Sequence, residues 1–136
     1  MADTVTPERR SEIMSRVRSK NTRPELLVRQ LLYKAGFRYR LHRADLPGKP
    51  DLAFPGRKKV IFIHGCFWHR HDGCPMARVP KSRVEFWTAK LSANRLRDIQ
   101  NVAKLNLAGW DVLVIWECEL QAPDLMVRLT DFLKSV

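Results

Sequence analysis

The sequence predicts an α/β fold in which one mixed β-sheet is flanked by helices. Three strand-like segments follow one another directly, and a fourth comes after a long segment with helical periodicity. Three adjacent strands suit an antiparallel meander, and a helical crossover normally returns the chain parallel to the strand before it. The length of 136 residues suits a single domain over residues 1–136.

Two helices are predicted before the first strand. Residues 7–19 carry a narrow apolar stripe among basic side chains, which indicates an N-terminal helix or arm (residues 1–20) that orders on a partner. The second helix begins at Thr22 as its N-cap, with Glu25 three residues later as in a capping box. Gly36 ends this helix. Its apolar side chains recur at helical spacing (Leu26, Leu27, Leu31 and Leu32).

The strand segments differ in their expected burial. Residues 37–42 alternate apolar and polar side chains, which predicts a half-buried strand. Residues 51–54 and 59–64 are separated by a Pro-Gly turn and should form a hairpin, with the second of these strands buried. Residues 111–116 form another continuous apolar run and predict a second buried strand.

Helices are also expected over residues 83–108 and 123–135. The longer one ends at Gly109, whereas residues 65–82 show no periodicity. The apolar side chains of the longer helix recur every three or four residues (Phe86, Trp87, Leu91, Ile99, Val102 and Leu105). Those of the last helix do the same (Leu125, Met126, Leu129, Phe132 and Leu133).

The charge of the chain indicates the kind of partner it meets. The sequence has 25 Lys and Arg against 14 Asp and Glu, a formal net charge of +11, and the excess lies in the first hundred residues. A positive field of this size favours a nucleic acid, because each neutralised phosphate releases counterions. The alternatives are a basic surface that only aids solubility and, less favoured, an anionic membrane.

No segment predicts membrane insertion or secretion. The longest uninterrupted apolar run extends from Val112 to Trp116, far below the roughly 20 residues that cross a bilayer. The N-terminus has no basic region followed by an apolar stretch. We therefore expect a cytoplasmic protein.

Three cysteines and one histidine have the spacing of a metal site. Cys66, His71 and Cys74 lie within nine residues, and Cys118 follows the last predicted strand. Disulfides are disfavoured in the cytoplasm, whereas three thiolates and one imidazole make a closed tetrahedral Zn²⁺ site. The sequence therefore predicts a structural zinc that holds the aperiodic loop. His69 competes with His71 as the ligand, and the alternative is three buried, inert thiols.

A carboxylate and two histidines form a candidate catalytic group. Asp51 begins a strand that pairs with residues 59–64, so it should lie near the end of that strand. Its oxygens suit Mg²⁺, which polarises a phosphate and stabilises the leaving oxygen. His64 ends the same strand, and His69 follows in the loop, where a neutral imidazole can take a proton from an attacking water. Glu25 is a candidate outer partner. The alternatives are a strand-end role for Asp51 and a capping role for Glu25.

Three aromatic residues accompany the basic charge. Phe67 and Trp68 are adjacent in the loop, and Trp87 lies on the following helix. An exposed aromatic side chain on a basic protein can wedge between base pairs. The favoured alternative is that all three cover the zinc loop and join the core.

Several runs resemble the very-short-patch-repair (Vsr) mismatch endonucleases over about residues 7–120. The most specific are HGCFWH at residues 64–69 and WECEL at residues 116–120. Further runs match at residues 50–54, 60–63 and 79–83. Shorter matches are Glu85-Phe86-Trp87, Asn94, Arg97-Asp98 and Gly109-Trp110.

The resemblance implies a restriction-endonuclease-like core and a monomer that nicks one strand of duplex DNA. The nick would fall on the 5′ side of the T in a T:G mismatch, which arises when 5-methylcytosine deaminates, and it would initiate very short patch repair. Such a protein would be cytoplasmic in a bacterium and nucleoid-associated when bound to DNA.

The resemblance also implies roles for individual residues. Asp51 and the backbone carbonyl of Ile63 would hold Mg²⁺, and His69 would act as the base. The supporting catalytic residues would be His64, Asp98 and Glu25. The structural zinc ligands would be Cys66, His71, Cys74 and Cys118. The residues that contact DNA would be Met14, Phe67, Trp68, Trp87, Lys90 and Asn94.

Two other functions remain as alternatives. A zinc-stabilised DNA-binding module without catalysis explains the charge, the cysteines and the aromatic residues, but it gives no role to Asp51 with His64 and His69. A hydrolase that uses zinc directly needs an open coordination position, and four protein ligands leave none.

Overall fold

A computed structural model describes residues 22–69, 71–77 and 81–135 of the chain, apart from the Met76 side chain. The helix expected over residues 7–19, and Met14 within it, lie outside the described residues. Three α-helices and four strands follow one another in the described part. They are α1 (Arg23–Lys34), β1 (Arg40–Leu41), β2 (Leu52–Phe54), β3 (Lys59–His64), α2 (Val84–Leu107), β4 (Asp111–Trp116) and α3 (Leu125–Lys134).

The described strands form one mixed sheet in the order β1-β2-β3-β4. β1 pairs with β2, and β2 pairs with β3, in antiparallel directions. β4 pairs parallel to β3, with Lys59 opposite Asp111 and His64 opposite Trp116. The antiparallel meander and the parallel crossover through α2 are therefore confirmed, and so is the α/β class.

Helices cover both faces of the sheet. On one face the sheet packs against α1 and α3 (Val28, Leu32, Leu52, Phe54, Ile61, Ile63, Ile115, Leu125, Leu129 and Leu133). On the other face it packs against the end of α2 (Ala53, Val60, Phe62, Leu105 and Trp110). Because β3 is covered on both sides, each of its six residues is buried.

The strand predicted over residues 37–42 is much shorter than expected. Only Arg40–Leu41 pair with β2. Phe37 is buried against α1, and its N–H donates to Leu32 O just after the helix ends. The Arg38 guanidinium lies 3.9 Å from the centre of the Tyr33 ring. The alternating pattern thus reflects packing against α1 rather than strand pairing.

The apolar stripe predicted for α1 is partly wrong. Leu26 and Leu27 are exposed, at 48% and 38%, whereas Val28 and Leu32 are fully buried. The helix does begin after Thr22, whose side chain accepts a hydrogen bond from Glu25 N. However, the Glu25 side chain is buried and turned to Arg29 and His42. The face of α1 that carries Glu25 is therefore the inward one.

The long helix α2 also departs from its predicted stripe. Trp87, Leu91 and Leu105 are buried as expected, but Phe86 and Ile99 are exposed. Between Leu91 and Leu105, polar side chains of the helix form hydrogen bonds with the loop after β3. Few positions in this stretch therefore hold buried apolar side chains. Gly109 ends the segment with a φ of +88°, and Trp110 N donates to Leu105 O.

None of the helices in the described part of the chain is long and apolar enough to cross a membrane.

Candidate active site and metal centres

One edge of the sheet collects most of the candidate residues. β3 and β4 run parallel, so their carboxyl ends, and the loops after His64 and Trp116, lie at the same edge. β2 runs antiparallel to β3, so Asp51, just before β2, lies at this edge as well. Residues 51, 64–69, 71–74 and 118 are brought together by topology, although they are far apart in the sequence.

The cysteine and histidine side chains expected to hold zinc lie together. Ligand atoms of Cys66, His71, Cys74 and Cys118 are all within 4.8 Å of one another. Cys118 Sγ lies 3.4 Å from His71 Nδ1. Burial raises the pKa of the Cys66 thiol to about 12, so without a cation this sulfur is a neutral thiol. A set of three sulfurs and one imidazole nitrogen fits Zn²⁺.

His69 is not part of this cluster. Its Nδ1 lies 2.5 Å from Asp98 Oδ2 on α2. Its ring stacks on the His64 ring at a centroid distance of 3.8 Å and an interplanar angle of 4°. Of the two histidines that the sequence left as competing ligands, the structure brings His71 to the cysteines and His69 to a carboxylate.

His64 supports the His69 ring from a buried position. Burial, followed by the charge of nearby His69, lowers the pKa of His64 to about 4, so His64 is neutral at pH 7. Its Nδ1 is buried and has no hydrogen-bond partner among the described residues. A cleft of about 470 Å³ opens beside His64, His69 and Asp98, and the partly exposed His69 and Asp98 side chains are reachable from it.

Asp51 belongs to a second group on the other side of β3. Asp51 Oδ2 accepts a hydrogen bond of 2.7 Å from the backbone N–H of Ile63, so Asp51 lies near the end of the paired strand as expected. Ligand atoms of Glu25, His42 and Asp51 lie within 4.8 Å of one another. Burial and the neighbouring Glu25 carboxyl, only partly offset by the hydrogen bond from the Ile63 N–H, raise the pKa of Asp51 to about 7. Two carboxyl groups this close suit a divalent cation that accepts oxygen ligands.

Consecutive residues of β3 join the two groups. The N–H of Ile63 holds Asp51, and the ring of His64 stacks on His69. The backbone at this point of the strand is fixed by pairing with Ile115 and Trp116 of β4. Asp51 and the His69–Asp98 pair are therefore held at adjacent positions, Ile63 and His64, of a fully buried strand.

The three aromatic residues form a cluster between the loop and α2. Phe67 and Trp68 have ring centroids 5.0 Å apart, and both rings lie edge-on to Trp87. Phe67 and Trp68 are half-buried, whereas Trp87 is only 8% exposed. Lys90 Nζ lies 5.6 Å from the centre of the Trp68 ring, and Asn94 Nδ2 donates to Trp68 O. The cluster covers the loop and also leaves part of two rings accessible.

Two contacts were not anticipated from the sequence. Arg95 on α2 makes two hydrogen bonds, of 2.7 and 2.6 Å, with the carboxylate of Asp72 in the loop. His42 contacts Glu25 with its ring. Arg95 and Asp72 are 23 positions apart and belong to no periodic pattern, so nothing in the sequence pairs them. His42 lies in a segment that looked like an ordinary strand end.

The comparisons with known proteins agree on the kind of enzyme. Residues 2–75 match the family described as DNA mismatch endonuclease Vsr. The Type II nicking enzyme V.XorIIP of Xanthomonas oryzae pv. oryzae is 56% identical over 120 residues, which is 88% of each chain. The Type II nicking enzyme V.NmeAIP of Neisseria meningitidis is 46% identical over 121 residues, 89% of this chain and 86% of the relative. The DNA mismatch endonuclease Vsr of Escherichia coli is 39% identical over 131 residues, 96% of this chain and 81% of the relative.

These relatives are nucleases, and the basic chain described above is therefore an enzyme of the DNA endonuclease class. More narrowly, the chain belongs to the DNA mismatch endonuclease Vsr family.

Proposed function

We propose that the chain nicks one strand of duplex DNA on the 5′ side of the T in a T:G mismatch, and so initiates very short patch repair. Family membership and the name of the Escherichia coli relative support mismatch specificity. The observation that carries the chemistry is the contact between His69 and Asp98. The His69 ring stacks on His64, which directly follows Ile63, the β3 residue whose N–H holds Asp51. The mismatch would arise from deamination of 5-methylcytosine.

Asp51 and the backbone carbonyl of Ile63 would hold Mg²⁺, with Glu25 as an outer partner. When bound, Mg²⁺ supplies positive charge at the scissile phosphate and at the oxygen that leaves. The buried Asp51–Glu25 carboxyl pair fits this ion because the cation would offset their mutual repulsion. The Ile63 N–H keeps the Asp51 carboxylate in one orientation.

His69 would act as the general base. With Nδ1–H donating to Asp98 Oδ2, His69 Nε2 carries the lone pair and can accept the proton of an attacking water. Asp98 keeps this tautomer and stabilises the imidazolium that forms. The stacked, neutral His64 ring fixes the plane of His69 without adding a positive charge next to it.

Zn²⁺ held by Cys66, His71, Cys74 and Cys118 would be structural, because four protein ligands close its coordination. The segment between two of these ligands, Cys66 and His71, carries Phe67, Trp68 and His69. Fixing this loop keeps the base and the aromatic rings in place relative to one another.

Phe67, Trp68 and Trp87 would insert next to the mismatch, where the weaker stacking makes deformation less costly. Lys90 and Asn94 lie beside these rings and would face the DNA. Met14, on the basic N-terminal arm of residues 1–20, would insert from the opposite groove. We further propose one domain with a restriction-endonuclease-like core, a monomer in solution, and a cytoplasmic protein that joins the nucleoid when it binds DNA.

The proposal is tested with end-labelled duplexes that differ only in one T:G or C:G pair, in several sequence contexts. The zinc-loaded protein is incubated with each duplex and Mg²⁺, and the position of any strand break is mapped. We expect a single nick 5′ of the mismatched T and no break in the matched duplex. Tight binding without a break in any context would contradict the proposal and favour a non-catalytic DNA-binding module.

A further inference from the structure

His42 contacts Asp51, the proposed cation ligand, and Glu25, its proposed outer partner. Its ring nitrogen Nε2 lies 3.0 Å from Glu25 Oε2. Its backbone N–H donates to the carbonyl of Asp51 at 3.2 Å. Nothing in the function proposed above gives this residue a role, and its ring is well shielded from solvent, at 20% exposure.

The backbone of His42 is unusual. Its φ of +47° lies in the left-handed region, which non-glycine residues adopt rarely and at some cost in conformational energy. The chain leaves β1 at this residue, and both contacts are made from this one conformation. A strained residue that contacts the Glu25 side chain and the Asp51 backbone points to a role at the site.

The contacts of the ring converge on one oxygen. Arg29 Nη2 lies 2.9 Å from Glu25 Oε2 and 3.4 Å from His42 Nε2. A guanidinium is only a donor, so the Arg29 N–H points at the carboxylate, and His42 Nε2–H points at the same atom. Two donors thus fix the orientation of a carboxylate that is almost fully buried, at 2% exposure.

The orientation of Glu25 matters because Asp51 lies next to it. Glu25, His42 and Asp51 offer ligand atoms within 4.8 Å of one another. Loss of the His42 donor would weaken the hold on the Glu25 carboxylate, and its repulsion with Asp51 would then favour orientations in which their oxygens lie further apart. A cation site needs these oxygens to converge before the ion arrives.

We propose that His42 is a positioning residue for the divalent-cation site of Asp51: its Nε2–H holds Glu25 in the orientation that keeps the two carboxylates convergent. The inference rests on the proposed function, in which Asp51 holds the cation. It adds a residue of this chain that acts on cation affinity rather than on proton transfer.

The test compares two replacements that keep the backbone hydrogen bond to Asp51. His42→Gln retains a side-chain N–H that can reach Glu25, whereas His42→Leu has none. Neither residue favours the left-handed conformation, so the comparison isolates the side-chain hydrogen bond. Binding of Mn²⁺ to the zinc-loaded protein is measured by electron paramagnetic resonance without DNA. The Mg²⁺ concentration at half-maximal rate is measured in single-turnover nicking.

We expect His42→Leu to weaken both cation measures about tenfold, the effect of losing one hydrogen bond to a charged group. His42→Gln should stay within about threefold of the wild type, and the nicking rate at saturating Mg²⁺ should change by less than about threefold in both variants. The matched control is Tyr39→Phe, which loses the hydrogen bond to Arg29 O and should leave cation binding unchanged.

The outcomes separate this inference from the function it rests on. If Asp51→Asn loses Mn²⁺ but His42→Leu binds it as tightly as the wild type, the positioning role is wrong and the cation site stands. If Tyr39→Phe weakens binding as much as His42→Leu, general loosening explains the result and the inference fails. If the wild type binds no Mn²⁺, or Asp51→Asn binds it equally well, the cation site itself is contradicted.

Discussion

Replacing Asp98 by Asn tests how the His69 imidazole is held for proton transfer. The Asp98–His69 contact is 2.5 Å long, and both side chains are partly exposed, at 24% and 30%. A hydrogen bond to a charged group contributes about 1.5–3 kcal/mol, and the partial exposure favours a value of about 2 kcal/mol. That value corresponds to a rate loss of about 30-fold. This is a lower bound, because an amide N–H that donates to Nδ1 would also favour the tautomer with Nε2 protonated.

The assay is single-turnover nicking of a T:G duplex at saturating Mg²⁺, with DNA affinity measured in parallel. We expect the rate to fall by at least about 30-fold while the Kd for DNA changes by less than about threefold. Asp111→Asn is the matched control. It breaks an ion pair with the buried Lys59 at the opposite end of the strands, so it should lower the Tm and leave the nicking rate unchanged. A rate for Asp98→Asn within threefold of the wild type would show that Asp98 does not hold His69 for proton transfer.

Four other substitutions test the cation site, the zinc site, the DNA interface and the core. Asp51→Asn should abolish nicking and keep DNA binding, measured on one labelled T:G duplex; an active variant would remove Asp51 from the mechanism. Cys74→Ser should expose the loop after β3 to limited proteolysis and lower the zinc content below one equivalent, measured by mass spectrometry, whereas an unchanged protease pattern would argue against a structural zinc. Lys90→Ala should weaken DNA binding and lower the slope of log K against log salt by about 1, and an unchanged slope would place this lysine away from phosphate. Leu129→Ala should lower the free energy of unfolding by about 2–5 kcal/mol in a denaturant titration, because this side chain is fully buried; a loss below 1 kcal/mol would contradict its place in the core.

Elements with one dominant pattern were predictable from the sequence. β3 and β4 are continuous apolar runs whose predicted bounds match the structure. β3 is buried throughout because helices cover both of its faces. The expectation that β4 is a second buried strand is wrong: β4 lies at the edge of the sheet, and Ile115 is its one buried residue. The prediction of a strand over residues 37–42 is wrong for most of that segment, because Phe37 is buried against α1 and not by strand pairing. Period-two spacing describes which side chains are buried, and a neighbouring helix can bury them as well as a sheet can.

The candidate site was predictable to different degrees. The cysteine and histidine spacing indicated a metal cluster, and hairpin geometry placed Asp51 near residue 63; both groupings are present in the structure. The residues alone gave no reason to pair His69 with Asp98, which is 29 positions away. The resemblance to a known family implied that Asp98 supports the site, but it did not imply this contact. The contact of His42 with Glu25 joins residues 17 positions apart and depends on a left-handed backbone that no pattern indicates.

In the proposed function, Asp51 and His69 act on the same phosphate in one chemical step. The most direct measurement is a double-mutant cycle of the single-turnover nicking rate on a T:G duplex, with Asp51→Asn, His69→Asn and the combined variant. Residues that act as a unit are strongly non-additive, so we predict that the combined variant is about as slow as the slower single variant. Losses that multiply in the combined variant, or a single variant that retains the wild-type rate, would show that Asp51 and His69 do not act together in one step.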